Sequence, residues 1–217
     1  MEETEKQRQI SKILVEPKTG YRIEMSMQSG FVRIPKERIG VLIGLDGRVK
    51  SSIEDRIGVK LEIDGEHGEI KIILDEKTKD PSMLFKAKDV VVAIGRGFTP
   101  DHAFRLIRDE DSVFEMIDLR TIFGRSESDI KRIKGRIIGM NGKTRKLIEE
   151  LSNANVVVYG HTVGIIGTYE QADIARNAVQ MLIDGCQHHS VYKFLAKKRR
   201  EMKKQMLELW EKPEEKK

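Results

Sequence analysis

Gly139-Met140-Asn141-Gly142, followed at once by Lys143, has the residue types and spacing best suited to holding an anion. Two glycines three apart permit a tight turn with no Cβ in the way. Exposed N–H groups at the start of a following helix favour negative charge. From Lys131 to Lys146 stand seven Lys/Arg (Lys131, Arg132, Lys134, Arg136, Lys143, Arg145, Lys146) and no Asp or Glu. An unbroken basic field of this kind attracts a phosphate chain, so nucleic acid is the expected ligand. Gly139 and Gly142 are expected to bring main-chain N–H groups to phosphate, with charge from Arg136, Lys143, Arg145 and Lys146. Asn141 either hydrogen-bonds a phosphate or accommodates the turn geometry. Ile138, Ile148 and Val156 are expected to line a groove for bases, although Ile148 serves equally well as core. Lys146 has the alternative of a solvated surface lysine.

Glycine spacing alone would not carry this reading, because the chain contains four Gly-x-x-Gly matches. Gly65–Gly68 falls between two short apolar runs and reads as a hairpin turn. Gly164–Gly167 lies within a strand-like run. The match at Gly44-Leu45-Asp46-Gly47 is different, because sliding the chain on itself by 95 residues superimposes it on Gly139–Gly142. The same register pairs Gly40 with Gly135, Ile43 with Ile138, Ile53 with Ile148 and Glu54 with Glu149. Arg48 falls on Lys143 and Lys50 on Arg145, so basic residues follow both turns. A period this long signals duplicated domains and not a solenoid of short units.

The elements that must position these turns repeat in order. The first copy predicts a strand (31–34), a helix (36–43), the Gly turn, a helix (48–57), strands at 60–64 and 69–74 and a helix (82–94). The second predicts a strand (113–119), a helix (128–138), the turn, a helix (143–153), strands at 156–159 and 162–166, and a long helix from Glu170. Gly58 and Asn153 stand where left-handed C-caps would close the second helix of each copy. The fold class is therefore α+β, built as two tandem β-α-α-β-β-α units. The expected domains are an N-terminal extension (1–29), the first unit (30–96), an acidic linker helix (97–112), the second unit (113–188) and a basic C-terminal helix and tail (189–217). The terminal helix, from Val191 to about Glu211, spaces Val191, Leu195, Met202, Met206, Leu209 and Trp210 near one face, opposite Lys197-Lys198-Arg199-Arg200. Its first part is expected to pack on the core and its basic remainder to touch RNA. The last residues, 213–217, read as disordered.

The net charge is +5, but its placement says more than its sum. Residues 97–119 are acidic, whereas the second unit and the tail hold most of the excess Lys and Arg. The single cysteine, Cys186, excludes an intramolecular disulfide and fits a reducing compartment. The start has no apolar core of a signal peptide and no run approaches membrane-spanning length, so a soluble, cytoplasmic protein is expected. Aromatics are only 6% and scattered, which argues against bases stacked on a sheet and for an aliphatic groove.

Helix–Gly-x-x-Gly–helix followed by strands resembles the KH module in its type I order, whose turn clamps about four backbone nucleotides. Two further segments, Val92-Ala-Ile-Gly-Arg-Gly-Phe-Thr-Pro100 and Gly135-Arg-Ile-Ile-Gly-Met-Asn-Gly-Lys-Thr144, with Ser190-Val-Tyr-Lys-Phe-Leu195 before the basic helix, resemble the archaeal tandem-KH ribosome-assembly proteins. The resemblance covers roughly residues 30–205. It implies a non-enzymatic small-subunit assembly factor that binds single-stranded ribosomal RNA near the 3′ end of a 16S-type molecule. Such a factor chaperones that end for a separate maturation endonuclease, and archaeal relatives are associated with the alpha subunit of translation initiation factor two. The chain departs from the family at its turns, where relatives often place Lys or Arg between the glycines. Here stand Leu45-Asp46 and Met140-Asn141. Asp46 opposes a phosphate by about 1 kcal/mol, which weakens the first copy while Arg48 and Lys50 retain contact. The second copy is thus expected to be the main clamp, and the first either an auxiliary RNA contact or a protein-docking surface.

Rival chemistries lack their residues. Gly142-Lys143-Thr144 ends like a nucleotide-hydrolase loop, but Ile137 stands where that loop needs its first glycine. The adjacent His188 and His189 face different ways on a helix, and no Cys/His or carboxylate cluster has ligand spacing, so no metal or cofactor is expected. The strongest rival is an adaptor whose KH folds dock proteins and bind RNA no better than any basic protein.

Overall fold

The computed structural model describes residues 29–76, 78 and 80–210, and before them only the backbone of Ile13–Leu14 and Glu24–Met25. The side chains of Met206, Leu209 and Trp210, and residues 213–217, lie outside the described part. The chain divides into two units, one ending at Glu110 and the other beginning at Asp111.

In the first unit the strands are β1 (Ile13–Leu14), β2 (Glu24–Met25), β3 (Ser29–Arg33), β4 (Val59–Asp64) and β5 (Glu69–Leu74), forming one antiparallel sheet in the order β1-β2-β3-β5-β4. The β1–β2 pair was not expected from the sequence. Its two-residue strands are too short to show an alternation. Helix α1 (Lys36–Ile43) packs against both α2 (Arg48–Ile57) and α3 (Ser82–Gly95), which pack on the sheet, and two single turns, α4 (Pro100–Ala103) and α5 (Arg105–Arg108), replace the expected linker helix. Pro100 at the first position of α4 starts that turn. The alternation in β3, with Val32 buried between exposed Phe31 and Arg33, puts one face on the core. Leu42, Ile53, Leu61, Ile70 and Ile72 are almost fully buried there.

The second unit repeats the plan with β6 (Ser112–Asp118), β7 (Asn155–Tyr159) and β8 (Thr162–Thr168) in the antiparallel order β6-β8-β7. Its helices are α6 (Leu119–Phe123), α7 (Glu127–Ile138), α8 (Lys143–Ser152), α9 (Tyr169–Ile183) and α10 (His188–Trp210). Thr168 closes a capping box with Gln171, which starts α9 two residues after the run of buried β8 positions ends. Ile133, Ile137, Ile148, Val156 and Ile165 meet in the core, each buried aliphatic chain contributing about 1.5–3 kcal/mol. Val191 and Leu195 of α10 are buried in the same core and Met202 packs at its margin, so this helix is an integral part of the unit.

Gly58 and Asn153 close α2 and α8 with φ of 74° and 59°, as the left-handed C-cap reading expects. The repeated pair Glu54/Glu149 also has a structural task. Glu54 Oε1 accepts from Leu61 N–H at 2.7 Å, and Glu149 Oε1 accepts from Val156 N–H at 2.9 Å. Among the described strands β4 and β7 each pair with a single neighbour, so these carboxylates satisfy amides at the edges of the sheets.

One half-buried acid carries a stability consequence. Burial pushes the Asp89 carboxyl of α3 up to about 6, partly offset by Lys88. The folded value exceeds the unfolded one, so the neutral acid is favoured in the fold. This contribution is full below about pH 4, is lost as pH rises to about 6, and stays lost above. Asp89→Asn should therefore stabilise the first unit at pH 7 by about 2 kcal/mol. In urea melts the gap from wild type should open between pH 4 and 6; a gap constant with pH would contradict the assignment.

Candidate nucleic-acid interface

Both Gly-x-x-Gly segments form the same turn. Gly44 and Gly139 have φ/ψ near 72°/178° and 70°/175°, while Gly47 and Gly142 are left-handed at 76° and 75°. The first glycine of each pair ends a helix by donating back one turn, Gly44 N–H to Gly40 O at 2.9 Å and Gly139 N–H to Gly135 O at 2.8 Å. The second is the cap residue of the next helix, and neither α2 nor α8 has a side-chain cap. A glycine cap offers no side-chain acceptor, and the turn closes on itself instead, with Arg48 N–H and Lys143 N–H donating to Leu45 O and Met140 O and Gly142 N–H to Gly139 O. The positive end of each helix is what remains for an outside anion.

The third turn position suits the residue types that occupy it. Asp46 and Asn141 both sit at φ 52°, the left-handed region in which Asp and Asn are the best tolerated side-chain-bearing residues. Of the two alternatives for Asn141, the structure displays the conformational one. The position before it is the opposite case. Leu45 and Met140 are 76% and 81% exposed, aliphatic chains held out into solvent on the crest of each turn.

Arg48 and Asp46 stand 3.8 Å apart, both widely exposed, so the first turn balances its own charge. Asn141 leaves the second turn, with Lys143 exposed beside it, without an acid. Lys50 and Arg145 lean on Glu54 and Glu149 at 3.9 and 3.8 Å, one turn along their helices. Lys146 is exposed. If the carboxylate opposes phosphate, Asp46→Asn keeps the backbone conformation and removes the repulsion. RNA affinity contributed by the first unit should then rise about fivefold, roughly 1 kcal/mol, in anisotropy titrations. An unchanged affinity would mean that this turn does not meet phosphate.

Three expectations need correction. Gly139 and Gly142 do not hold free N–H groups toward phosphate, because they donate to Gly135 O and Gly139 O at 2.8 and 3.2 Å. Val156 is 0% exposed and cannot line a groove, while Ile148, also 0%, takes the core alternative. The half-buried Ile138, at the last turn of α7, remains at the surface beside the glycines. Arg136 is not a free charge. Its Nη2 donates to Cys186 O at 2.6 Å and its own carbonyl accepts from His188 Nε2 at 3.0 Å, tying α7 to the start of α10.

The structure also gathers residues that sequence spacing did not. Arg120 and Arg125, around the unforeseen short α6, join Lys131 and Lys134 of α7 and His161 of the β7–β8 turn around a concavity of about 790 Å³. Glu127 is its one acid. Lys131 and Lys134 were visible as part of the basic field. Arg120 and Arg125 precede them closely in the chain, but nothing in the linear order brings His161 to them. Gly40 and Gly135 are exposed on α1 and α7 with nothing within 4 Å of a built Cβ, which leaves bare helix backbone near each turn.

No group of three His, Cys, Asp or Glu among the described residues could hold a metal ion, and no described helix is long and apolar enough to cross a membrane. Residues 113–200 match the eukaryotic-type KH domain (KH-domain type I), and residues 29–109 match the Krr1 KH1 domain. The KH domain-containing protein MJ0443 of Methanocaldococcus jannaschii is 49% identical over 83% of this chain and 78% of its own length. The pre-rRNA-processing protein pno1 of Schizosaccharomyces pombe is 29% identical over 84% of this chain and 74% of its own. Among solved structures, Dim2p from Pyrococcus horikoshii superimposes with a TM-score of 0.71 at 47% identity, covering 78% of this chain and 99% of that one. A chain of the a/eIF2alpha–aDim2p–rRNA complex from the same organism gives 0.74 at 46%, covering 80% and 95%. With two type I KH folds in tandem and a relative of such identity over most of its length, the chain belongs to the archaeal tandem KH-domain ribosome-assembly family.

Proposed function

We propose that this protein binds single-stranded ribosomal RNA near the 3′ end of a 16S-type molecule, with the second unit as the principal clamp, and chaperones that end for a separate endonuclease. The observation that carries the reading is the second turn itself. An uncapped helix start behind two positive-φ glycines lies in a stretch with seven cations and no acid. Gly139, Met140, Asn141 and Gly142 approach the sugar–phosphate chain, Lys143, Arg145 and Lys146 supply charge, and Ile138 offers an apolar surface to bases. Gly44, Leu45, Asp46, Gly47, Arg48 and Lys50 form the weaker counterpart. The rRNA and initiation-factor alpha subunit named in the Pyrococcus complex are the partners proposed for this chain too.

Binding of a single-stranded rRNA 3′-end oligonucleotide should weaken with salt at a log–log slope of roughly −3 to −4, as four to six neutralised phosphates require. A flat titration would overturn the reading. The adaptor alternative has one observation on its side. The self-paired Asp46–Arg48 turn with exposed Leu45 suits a protein surface as well as a phosphate chain. If the first unit docks the alpha subunit, Leu45→Asp should abolish co-elution with it and leave RNA binding by the second unit intact.

A further inference from the structure

The C-terminal helix reaches the back of the second Gly turn. Tyr192 of α10 is hydrogen-bonded through its hydroxyl to Thr144 Oγ1, at 2.9 Å, in the first turn of α8. Thr144 in turn packs so closely under Gly139 that a Cβ there would overlap its Oγ1. His188, one turn before Tyr192, donates to the carbonyl of Arg136. Together these contacts form a recess of about 430 Å³ flanking the turn, separate from the concavity around Lys134. Arg132, Arg136, Lys143, Met140, His188 and Tyr192 are among its walls.

The chemistry of these walls points to one class of ligand. Three cations and no carboxylate line the recess. Arg136 has its Nε buried without a hydrogen-bond partner while its Nη2 is held by Cys186. Arg132, exposed on α7, pairs at 3.2 Å with Asp129, a contact of little strength at an exposed site. The rings of His188 and Tyr192 lie 6.2 Å apart and tilted by 54°, a wedge and not a closed stack. An aromatic wedge beside fixed cations matches a nucleotide, with its phosphate on Arg132 and Lys143 and its base against Tyr192 or His188.

We infer that this recess is a second RNA subsite, holding a nucleotide that flanks the stretch gripped by the Gly turn, with α10 supplying its aromatic wall. The inference rests on the clamp reading of the same turn and extends the footprint beyond it. The C-terminal helix thus contacts RNA at its first turns, through Tyr192 and His188, and not only through its distal lysines.

The test compares the full chain binding a tetranucleotide with the same sequence extended by three nucleotides at each end. Arg132→Gln and Tyr192→Leu should each lose roughly tenfold affinity for the long RNA, the size of one stacked or ion-paired nucleotide, and leave the short one unchanged. Arg132→Gln should also flatten the salt slope by about 0.7, whereas Tyr192→Leu should not. Tyr192→Phe, which keeps the ring, should bind the long RNA as wild type does. Equal losses on both RNAs in Tyr192→Phe would make Tyr192 a positioning residue acting through Thr144 and overturn the subsite. So would wild-type affinities in both principal variants, or no gain from length in the wild type. If Tyr192→Leu fails to fold, the exposed Arg132→Gln decides. Failure of the wild type to bind the tetranucleotide would instead overturn the clamp itself.

Discussion

Replacing Met140 and Asn141 together by Asp should lower affinity for a single-stranded rRNA 3′-end oligonucleotide roughly 30- to 150-fold while leaving the melting temperature nearly unchanged. Both halves follow from the turn geometry. Met140 is 81% exposed, and Asn141 holds a left-handed φ that Asp also adopts, as Asp46 does at the matching position. Neither substitution removes a core contact, so the fold is preserved. The two carboxylates would stand beside the uncapped start of α8, where the proposal puts phosphate. Two like charges a few ångströms from that chain cost about 2–3 kcal/mol at surface dielectric. Leu45→Asp in the first turn should do less, because Asp46 already opposes phosphate there. Anisotropy titrations of both variants check the ranking. Greater sensitivity of the first turn would reverse the assignment of roles.

The second large effect is on stability, and it separates the two glycines of one motif. Gly139 lies at φ 70° and ψ 175°, a region that is essentially glycine-only, and a Cβ there would collide with Thr144. Thr144 cannot give way cheaply, being buried and bonded to Tyr192. Gly139→Ala should therefore cost about 3–4 kcal/mol, from backbone strain and overlap combined. Gly142 is left-handed but faces open space, so Gly142→Ala carries only the backbone penalty, about 1 kcal/mol. Gly44 should resemble Gly139, since its Cβ would overlap Val49. Urea denaturation of the three variants measures the difference. Equal costs at Gly139 and Gly142 would show that Thr144 moves aside.

Much of the local architecture was legible because it is set by neighbours in the chain. Helices 36–43 and 48–57 and strand 69–74 end where glycines, prolines and turns interrupt the apolar pattern, and the 95-residue repeat let each copy check the other. What was misread shares one cause. Ile138, Ile148 and Val156 are all aliphatic and lie close together in sequence, yet only Ile138 faces solvent. Composition cannot tell which side of α8 and β7 meets the core. Arg136 looked like a free cation because its acceptor, the carbonyl of Cys186, lies 50 residues away.

The two glycine turns, their left-handed residues, their basic flank and the doubled β-α-α-β-β-α order are written in the chain itself, because φ preferences and short-range patterning act within a few residues. Packing decided the rest. It turned Ile148 and Val156 inward, set Glu54 and Glu149 to closing sheet edges, and brought His161 to the concavity of Arg120 and Arg125 and Tyr192 behind the second turn. Except for the two glutamates, whose partners follow within a few residues, those contacts join residues distant in sequence, and only burial of a common core fixes such distances.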